Sequence, residues 1–194
     1  YKDNQNKASS ESMLLSPKSF YGIGKMCSEE YIRLFFEEGL NTTVFRLFNV
    51  FGPGQDLDNH KQGMVSIYLS YILKNKPILV KGPLNRKRDY VYIDDVINGL
   101  LIGLEKGSEG KTYNLCSGKP YTVDELIKVL LKKTKNEASY PIKILPRTPK
   151  DIDFIYGDYS KINKNFGWKP KYTLQDGIES MVSSYENLAQ GKWV

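Results

Sequence analysis

The stretch Thr-Thr-Val-Phe-Arg-Leu-Phe-Asn-Val-Phe-Gly-Pro-Gly, residues 42–54, decides the fold class of this chain. Its β-branched and aromatic residues as far as Phe48 predict a buried strand, and the turn residues from Gly52 onward predict its end. Asn49 places a polar side chain where the strand ends. Ligands of α/β sheets bind beyond the carboxyl ends of the strands, although a simple β-turn would have the same sequence.

Helical and strand patterns alternate on both sides of this stretch. The predicted helices cover residues 20–38, 64–74, 94–106, 122–133, 158–166 and 173–189, and the predicted strands cover 42–48, 78–80, 89–93, 113–116 and 141–145. Asp94 or Asp95 is the expected N-cap of the third helix, and residues 122–125 have capping-box spacing. This alternation favours an α/β fold.

Composition narrows the function classes. The 194 residues have a net charge of +6, but the lysines are scattered and no aromatic–basic motif occurs, so nucleic-acid binding is not favoured. A mild basic balance suits an anionic small substrate such as a diphosphate equally well. No apolar run of about 18 residues indicates a membrane span, and the first residues do not resemble a signal peptide, so a cytoplasmic location is expected.

The cysteines and the single histidine argue against a metal site. Cys27 and Cys116 have no paired spacing and are expected to be small buried thiols in a reducing compartment. His60 lies in a polar stretch and is expected in a solvated loop. With a single histidine, the chain has too few suitable side chains for a zinc site or a Ser-His-Asp triad, and no metal is predicted.

Tyr21-Gly22-Ile23-Gly24-Lys25 places a phenol and an ammonium group four residues apart, on one face of a predicted helix. A cation one turn away favours the phenolate, so such a pair could exchange protons with a sugar hydroxyl. The spacing alone is a weak signal, because a surface pair would look the same.

Residues 86–96 read Arg-Lys-Arg-Asp-Tyr-Val-Tyr-Ile-Asp-Asp-Val. An arginine just before a strand is well placed to bind a diphosphate through two parallel hydrogen bonds. A solvated run of charges is the alternative.

The order and spacing of these three motifs resemble the extended short-chain dehydrogenase/reductase family, in particular its UDP-glucose 4-epimerase-like members. Tyr113-Asn114-Leu115 and the stretch 158–170 extend the resemblance over nearly the whole chain. The resemblance implies the remnant of a Rossmann-type parallel sheet, with residues 1–60 the C-terminal part of the dinucleotide-binding domain. Residues 61–194 would mainly form the smaller nucleotide-sugar-binding domain, with some segments returning to the sheet.

The resemblance also implies roles for single residues. Tyr21 matches the proton-exchanging base, and Lys25 matches the lysine that binds the nicotinamide ribose of NAD and tunes the tyrosine. The remaining matches concern the nucleotide sugar. Asn49 and Arg88 match residues that bind its diphosphate, and the segment Leu79, Val80 and Lys81 matches one that runs past the nucleotide base. Asp151 matches the carboxylate that binds the ribose, with Arg147 nearby.

The chain departs from the family pattern in three ways. Gly24 replaces the usual Ser or Thr before the lysine, and Thr148 stands where an arginine is usual, so Arg147 would serve only if the loop is shifted. The Gly-x-x-Gly-x-x-Gly fingerprint of NAD binding is missing from these residues. Tyr1 matches the tyrosine of an upstream Val-Tyr-Gly segment, which implies that the catalytic Ser or Thr and the adenine half of the NAD site precede this chain.

The expected function is therefore an NAD-dependent nucleotide-sugar epimerase that transiently oxidises C4 of a UDP-linked sugar, with Tyr21 as the base, in the intact enzyme. A 4,6-dehydratase or a reductase of the same family is the first alternative, and a non-catalytic nucleotide-sugar-binding fragment is the second. This chain alone is expected to be inactive. The resemblance further implies a homodimer formed through a four-helix bundle that includes the helix over residues 20–38.

Overall fold

The computed structural model describes residues 1, 7–59, 63–106, 110–149 and 151–189. In this part of the chain the helices are α1 (Phe20–Glu37), α2 (Met64–Leu73), α3 (Ile93–Lys106), α4 (Val123–Lys133), α5 (Ser160–Phe166) and α6 (Leu174–Ala189). The strands are β1 (Thr43–Leu47), β2 (Asn49–Phe51), β3 (Ile78–Lys81), β4 (Lys87–Tyr92), β5 (Lys111–Leu115), β6 (Pro120–Thr122), β7 (Ile142–Leu145) and β8 (Phe154–Ile155). The predicted α/β class is confirmed.

Most strand pairs are parallel and join segments distant in sequence. β1 pairs with β5, with Thr43 opposite Lys111, and β3 pairs with β7, with Ile78 opposite Ile142. β4 pairs with three strands. β2 and β8 run parallel to it, and β6 runs antiparallel to it. β4 therefore forms the centre of its sheet, and the residues of the Arg-Asp-Tyr motif lie on it.

The helices follow from amphipathic patterns with defined starts. Thr122 caps α4, since its hydroxyl accepts from the Glu125 amide at 3.0 Å while the Glu125 carboxylate accepts from the Thr122 amide at 2.7 Å. The predicted capping box is confirmed. Leu126 and Leu130 on the inner face of this helix are fully buried. They belong to the larger hydrophobic cluster, which packs α2, α4 and α6 against the strands.

The N-cap prediction for α3 is wrong. The helix begins at Ile93, so Asp94 and Asp95 lie in its first turn. The buried carboxylate of Asp95 instead accepts hydrogen bonds from the amides of Lys171 and Tyr172, at 2.9 and 3.1 Å. The Asp95 side chain therefore binds a distant segment of the chain and does not cap α3. No helix among the described residues is both long and apolar enough to cross a bilayer.

The cysteine prediction is confirmed for Cys116, which is buried, and wrong for Cys27, which is exposed. Cys27 is part of an apolar stripe on α1, and none of the residues of that helix is buried in this structure. Helical spacing correctly placed Cys27 on the apolar face, but no described part of the chain covers that face. His60 lies outside the described residues.

Candidate active site

The first part of the site is the Tyr21–Lys25 pair on α1. Ser19 caps this helix by accepting a hydrogen bond from the Gly22 amide at 3.1 Å, so Tyr21 lies in the first turn. The ammonium nitrogen of Lys25 lies 5.5 Å from the centroid of the Tyr21 ring, in cation–π geometry. Tyr21 is 75% exposed. The phenol and the cation thus share one accessible helix face.

An ion pair joins this helix to the sheet. The guanidinium of Arg46 on β1 binds both carboxylate oxygens of Glu29, with the shortest contact 2.6 Å from Nη2 to Oε2. Arg46 also donates to the backbone oxygen of Glu11 at 3.2 Å. Because Glu29 follows Lys25 by one turn, this two-point contact orients the face that carries Tyr21 and Lys25 relative to β1.

Asn49 lies at the start of β2 and not beyond the end of one long strand. Its side-chain amide donates to the backbone oxygen of Asp89 at 2.8 Å, and its Cα pairs in register with Tyr90 on β4. This contact ties Asn49 to Asp89, the residue that follows Arg88 along β4.

The main polar cluster consists of Arg86, Arg88 and Asp151. Nη2 of Arg88 lies 2.7 Å from Oδ1 of Asp151, and Nη1 of Arg86 binds Oδ2 of the same carboxylate. The two arginines are only 4% and 7% exposed. Burial lowers the pKa of the Arg88 guanidinium, and the neighbouring Asp151 opposes that effect. Guanidinium groups nonetheless stay charged in proteins, so the cluster holds two buried cations around one anion.

Tyr68 on α2 lies against this cluster. Burial raises the pKa of its phenol to about 12, although the charges of Arg86 and Arg88 act in the opposite direction. Tyr68 therefore stays neutral at physiological pH and contributes no negative charge to the two arginines.

Arg147 lies beside the cluster without replacing either arginine. Its guanidinium pairs with Asp153, with a contact of 2.9 Å between Nη2 and Oδ1, and also donates to the backbone oxygen of Asp151. Arg147 lines an open cleft of about 600 Å³ together with Pro83, Asn85, Lys87, Thr122, Asp153 and Phe154. Its role as a ligand of the nucleotide stays a prediction.

The β3 segment reaches the same region through its backbone pairing. Leu79, Val80 and Lys81 pair with β7, and the amide of the next residue, Gly82, donates to the Leu145 oxygen at 3.0 Å. Val80 is fully buried. Leu79 is half-buried and Lys81 is exposed.

The structure thus brings Arg88, Asp151 and Arg147 together, while Asn49 on the neighbouring β2 binds the backbone oxygen of Asp89, the residue after Arg88. Within the described part of the chain, no hydrogen bond or ion pair joins Tyr21 or Lys25 to that cluster. No group of three or more metal-ligating side chains occurs among the described residues.

Sequence reasoning missed two residues of this region. Sequence patterns offered no reason to assign Arg86 a role different from that of the other charged residues around it, yet it binds Asp151. Asp89 was assigned only to a strand, yet it is completely buried and accepts from the amides of Ser117, Gly118 and Gly157 at 2.7, 3.0 and 3.1 Å. The available signal was a carboxylate at the start of the predicted strand 89–93, whose other residues are aromatic or aliphatic, because buried carboxylates need several donors.

The structure therefore combines an α/β fold, a tyrosine–lysine pair on one exposed helix face, and a buried arginine–carboxylate cluster at the start of β4. The family model described as GDP-mannose 4,6 dehydratase matches residues 1–181. The chain therefore belongs to that family of NAD-dependent nucleotide-sugar epimerases, dehydratases and reductases, within the extended short-chain dehydrogenases/reductases.

Individual relatives agree with this assignment. A dTDP-4-dehydro-6-deoxyglucose reductase of Escherichia coli is 31% identical over 90% of this chain and 55% of its own length. The structure of UDP-glucose 4-epimerase from Thermotoga maritima with UDP-glucose has a TM-score of 0.89 and 32% identity, covering 96% of this chain and 60% of its own. The Thermus thermophilus UDP-glucose 4-epimerase complex with NAD has a TM-score of 0.86 and 26% identity, covering 94% and 59%. The chain spans about half the length of the curated relatives it matches.

Proposed function

We propose that the intact protein containing this chain is an NAD-dependent epimerase acting at C4 of a UDP-linked sugar. The observation that carries the proposal is the Lys25 ammonium 5.5 Å from the ring centroid of the exposed Tyr21. Similarity to a UDP-glucose 4-epimerase crystallised with UDP-glucose, at 32% identity, supports the same substrate class.

In this proposal Tyr21 moves the proton and the remaining residues hold the substrate. Tyr21, acting as a base beside Lys25, takes the proton of the sugar 4-hydroxyl and later returns a proton to the same oxygen. Asn49 and Arg88 bind the diphosphate, and Asp151 accepts from the ribose hydroxyls. The segment Leu79, Val80 and Lys81 runs alongside the nucleotide base, and Arg147 lines the cleft beside it.

NAD is the cofactor implied by the family, and the described residues fit one end of it. The Tyr21 hydroxyl and the Lys25 ammonium lie on an open helix face, where both could bind the hydroxyls of the nicotinamide ribose. When bound, NAD supplies a reversible acceptor for hydride. We assign the adenine half of the dinucleotide to residues outside this chain.

The Tyr21→Phe variant of the intact natural polypeptide tests the proposal. It keeps the ring beside Lys25 but removes the base, so the interconversion of UDP-glucose and UDP-galactose should fall by about 10²- to 10⁴-fold while UDP binding is unchanged. Tyr31→Phe, at another exposed tyrosine of α1, is the matched control. Full activity of Tyr21→Phe would exclude the proposed mechanism.

A 4,6-dehydratase or reductase activity is the second candidate, favoured by the 31% identity to the Escherichia coli reductase and by the dehydratase description of the family model. Product analysis separates these activities. An epimerase returns an isomer of the same mass, a dehydratase releases one water, and a reductase consumes a reduced nicotinamide with a keto sugar. Nucleotide-sugar binding without any of these products would favour a non-catalytic binding protein.

The domain division, the location and the partners also belong to this proposal. Residues 1–60 would be part of the dinucleotide-binding domain and residues 61–194 mainly the sugar-nucleotide domain. The pairing of residues 111–115 with β1 supports the return of later segments to the first domain. The protein would act in the cytoplasm as a homodimer, with no nucleic-acid partner.

A further inference from the structure

The cluster around Asp151 contains more positive than negative charge. Arg86 and Arg88 both bind this one carboxylate, while the charge of Arg147 is paired with Asp153. Asp89 is close along the chain, but it lies on the opposite face of β4, where it is bound by Ser117, Gly118 and Gly157. One buried guanidinium charge is therefore left without a matching anion among these described residues, an arrangement that suits an anionic ligand.

The two oxygens of Asp151 are bound in different ways. Oδ1 accepts from Arg88 and also from the amide of Ile152, at 2.7 and 2.9 Å. Oδ2 is bound by Arg86. If Arg88 turned away, Oδ1 would keep the Ile152 amide and Oδ2 would keep Arg86. If Arg86 turned away, Oδ2 would lose its guanidinium.

Arg86 is also placed to stay where it is. Its Nε donates to the backbone oxygen of Pro83 at 3.2 Å, within the turn that joins β3 to β4. The guanidinium packs beside Gly82, where an added Cβ atom would lie 3.4 Å from the Arg86 Nε. Arg88 is different, because its second hydrogen bond goes to the oxygen of the adjacent Lys87 and does not tie it to another element.

We infer that Asp151 is the counter-ion that Arg88 exchanges for the diphosphate, and that Arg86 is the positioning residue that keeps Asp151 in place when Arg88 transfers to the diphosphate. The inference rests on the proposed function for its ligand, a nucleoside diphosphate. Arg86 itself does not touch that ligand. Its effect passes through Asp151.

The inference predicts that Arg86→Met weakens binding of UDP to the intact polypeptide by at least about tenfold, because Arg88 is then needed to neutralise Asp151. Isothermal titration calorimetry with UDP measures this change. Arg33→Met, at an exposed arginine of α1 paired with Glu30 and Glu37, should bind UDP as the unmodified protein does.

Removing the charge of Asp151 makes the test specific. Once residue 151 is neutral, Arg86 has no carboxylate to hold, so Asp151→Asn and the double variant Asp151→Asn, Arg86→Met should bind UDP within about twofold of each other. This comparison stands even if Arg86→Met alone fails to fold, since neither of its members contains an unpaired carboxylate at residue 151. A weaker double variant would mean that Arg86 contacts the ligand directly, which overturns the inference.

The outcomes separate the inference from the proposed function. Tight UDP binding by both the unmodified protein and Arg86→Met would overturn the role of Arg86 and leave the proposed function intact. Absence of UDP binding by the unmodified protein would overturn both.

Discussion

Asp89 shows how a single residue arranges the site at a distance. Its carboxylate is fully buried and accepts from the Ser117 hydroxyl and from amides in two separate loops, at Ser117, Gly118 and Gly157. The backbone oxygen of the same residue accepts from Asn49. Asp89 therefore fixes the strand position that carries Arg88, the orientation of Asn49 and the course of both loops.

Asp89→Asn should lower the free energy of unfolding by about 3 kcal/mol, because an amide group replaces one acceptor oxygen with a donor that faces donors. Asp94→Asn, at the exposed aspartate of the same motif, should change it by less than about 0.5 kcal/mol. Urea denaturation followed by circular dichroism measures both. Equal stability of the two variants would mean that the Asp89 hydrogen bonds contribute nothing net.

Some of the site was visible in the sequence and some was not. The Tyr21–Lys25 pair could be predicted from helical spacing, because both residues lie on one element. The contact between Arg88 and Asp151 could not, since 63 residues separate them and only the fold brings them together. Asp151 entered the prediction through a family resemblance, which offered no sign that Arg86 would share its carboxylate.

At the scale of elements, α3 lies unusually close to the sheet. Gly99 faces the fully buried Leu115 of β5, and a Cβ atom added at Gly99 would lie 2.5 Å from the Leu115 Cδ2. The same atom would lie 3.2 Å from Nε1 of Trp168, which donates to the backbone oxygen of Asp95 in the same helix. The absence of a side chain at Gly99 is thus what permits this distance between α3 and β5.

A pair of glycine substitutions tests that packing. Gly99→Ala should lower the free energy of unfolding by about 1–3 kcal/mol, because the added methyl group overlaps the fully buried Leu115 side chain. Gly24→Ala, on the exposed helix α1 with no atom within 4 Å of the new methyl group, should raise it by about 1 kcal/mol through helix propensity. Thermal and urea unfolding would show the two shifts in opposite directions. A shift of the same sign for both would contradict the packing argument.

Element boundaries show where pattern reasoning ends. Helices and the longer strands were predicted in the right order, since each contains enough apolar residues to reveal its period. β2, β6 and β8 were missed because two or three residues have no measurable alternation. All three strands pair with β4, and this pairing exists only once the sheet has formed, so it leaves no pattern in the short segments themselves.

At the scale of the whole molecule, α1 is the element with the least protection. Phe20, Ile23, Cys27, Tyr31 and Leu34 recur at helical spacing, and all five are exposed. The stripe lies on a different face from Tyr21 and Lys25, so it is not explained by the proposed chemistry. A contiguous apolar stripe of this kind marks a surface that another protein segment covers.

The homodimer expected from the family resemblance gives that stripe a partner. If two copies of α1 pack through it, Leu34→Glu should convert a dimer of the intact polypeptide into a monomer, because the interface would bury a charge without a counter-ion. Leu188→Glu, at an exposed leucine of α6, should leave the dimer unchanged. Sedimentation velocity at micromolar concentration distinguishes the two masses. A monomeric unmodified protein, or a dimer that survives Leu34→Glu, would mean that the stripe of α1 is covered by something other than a second copy.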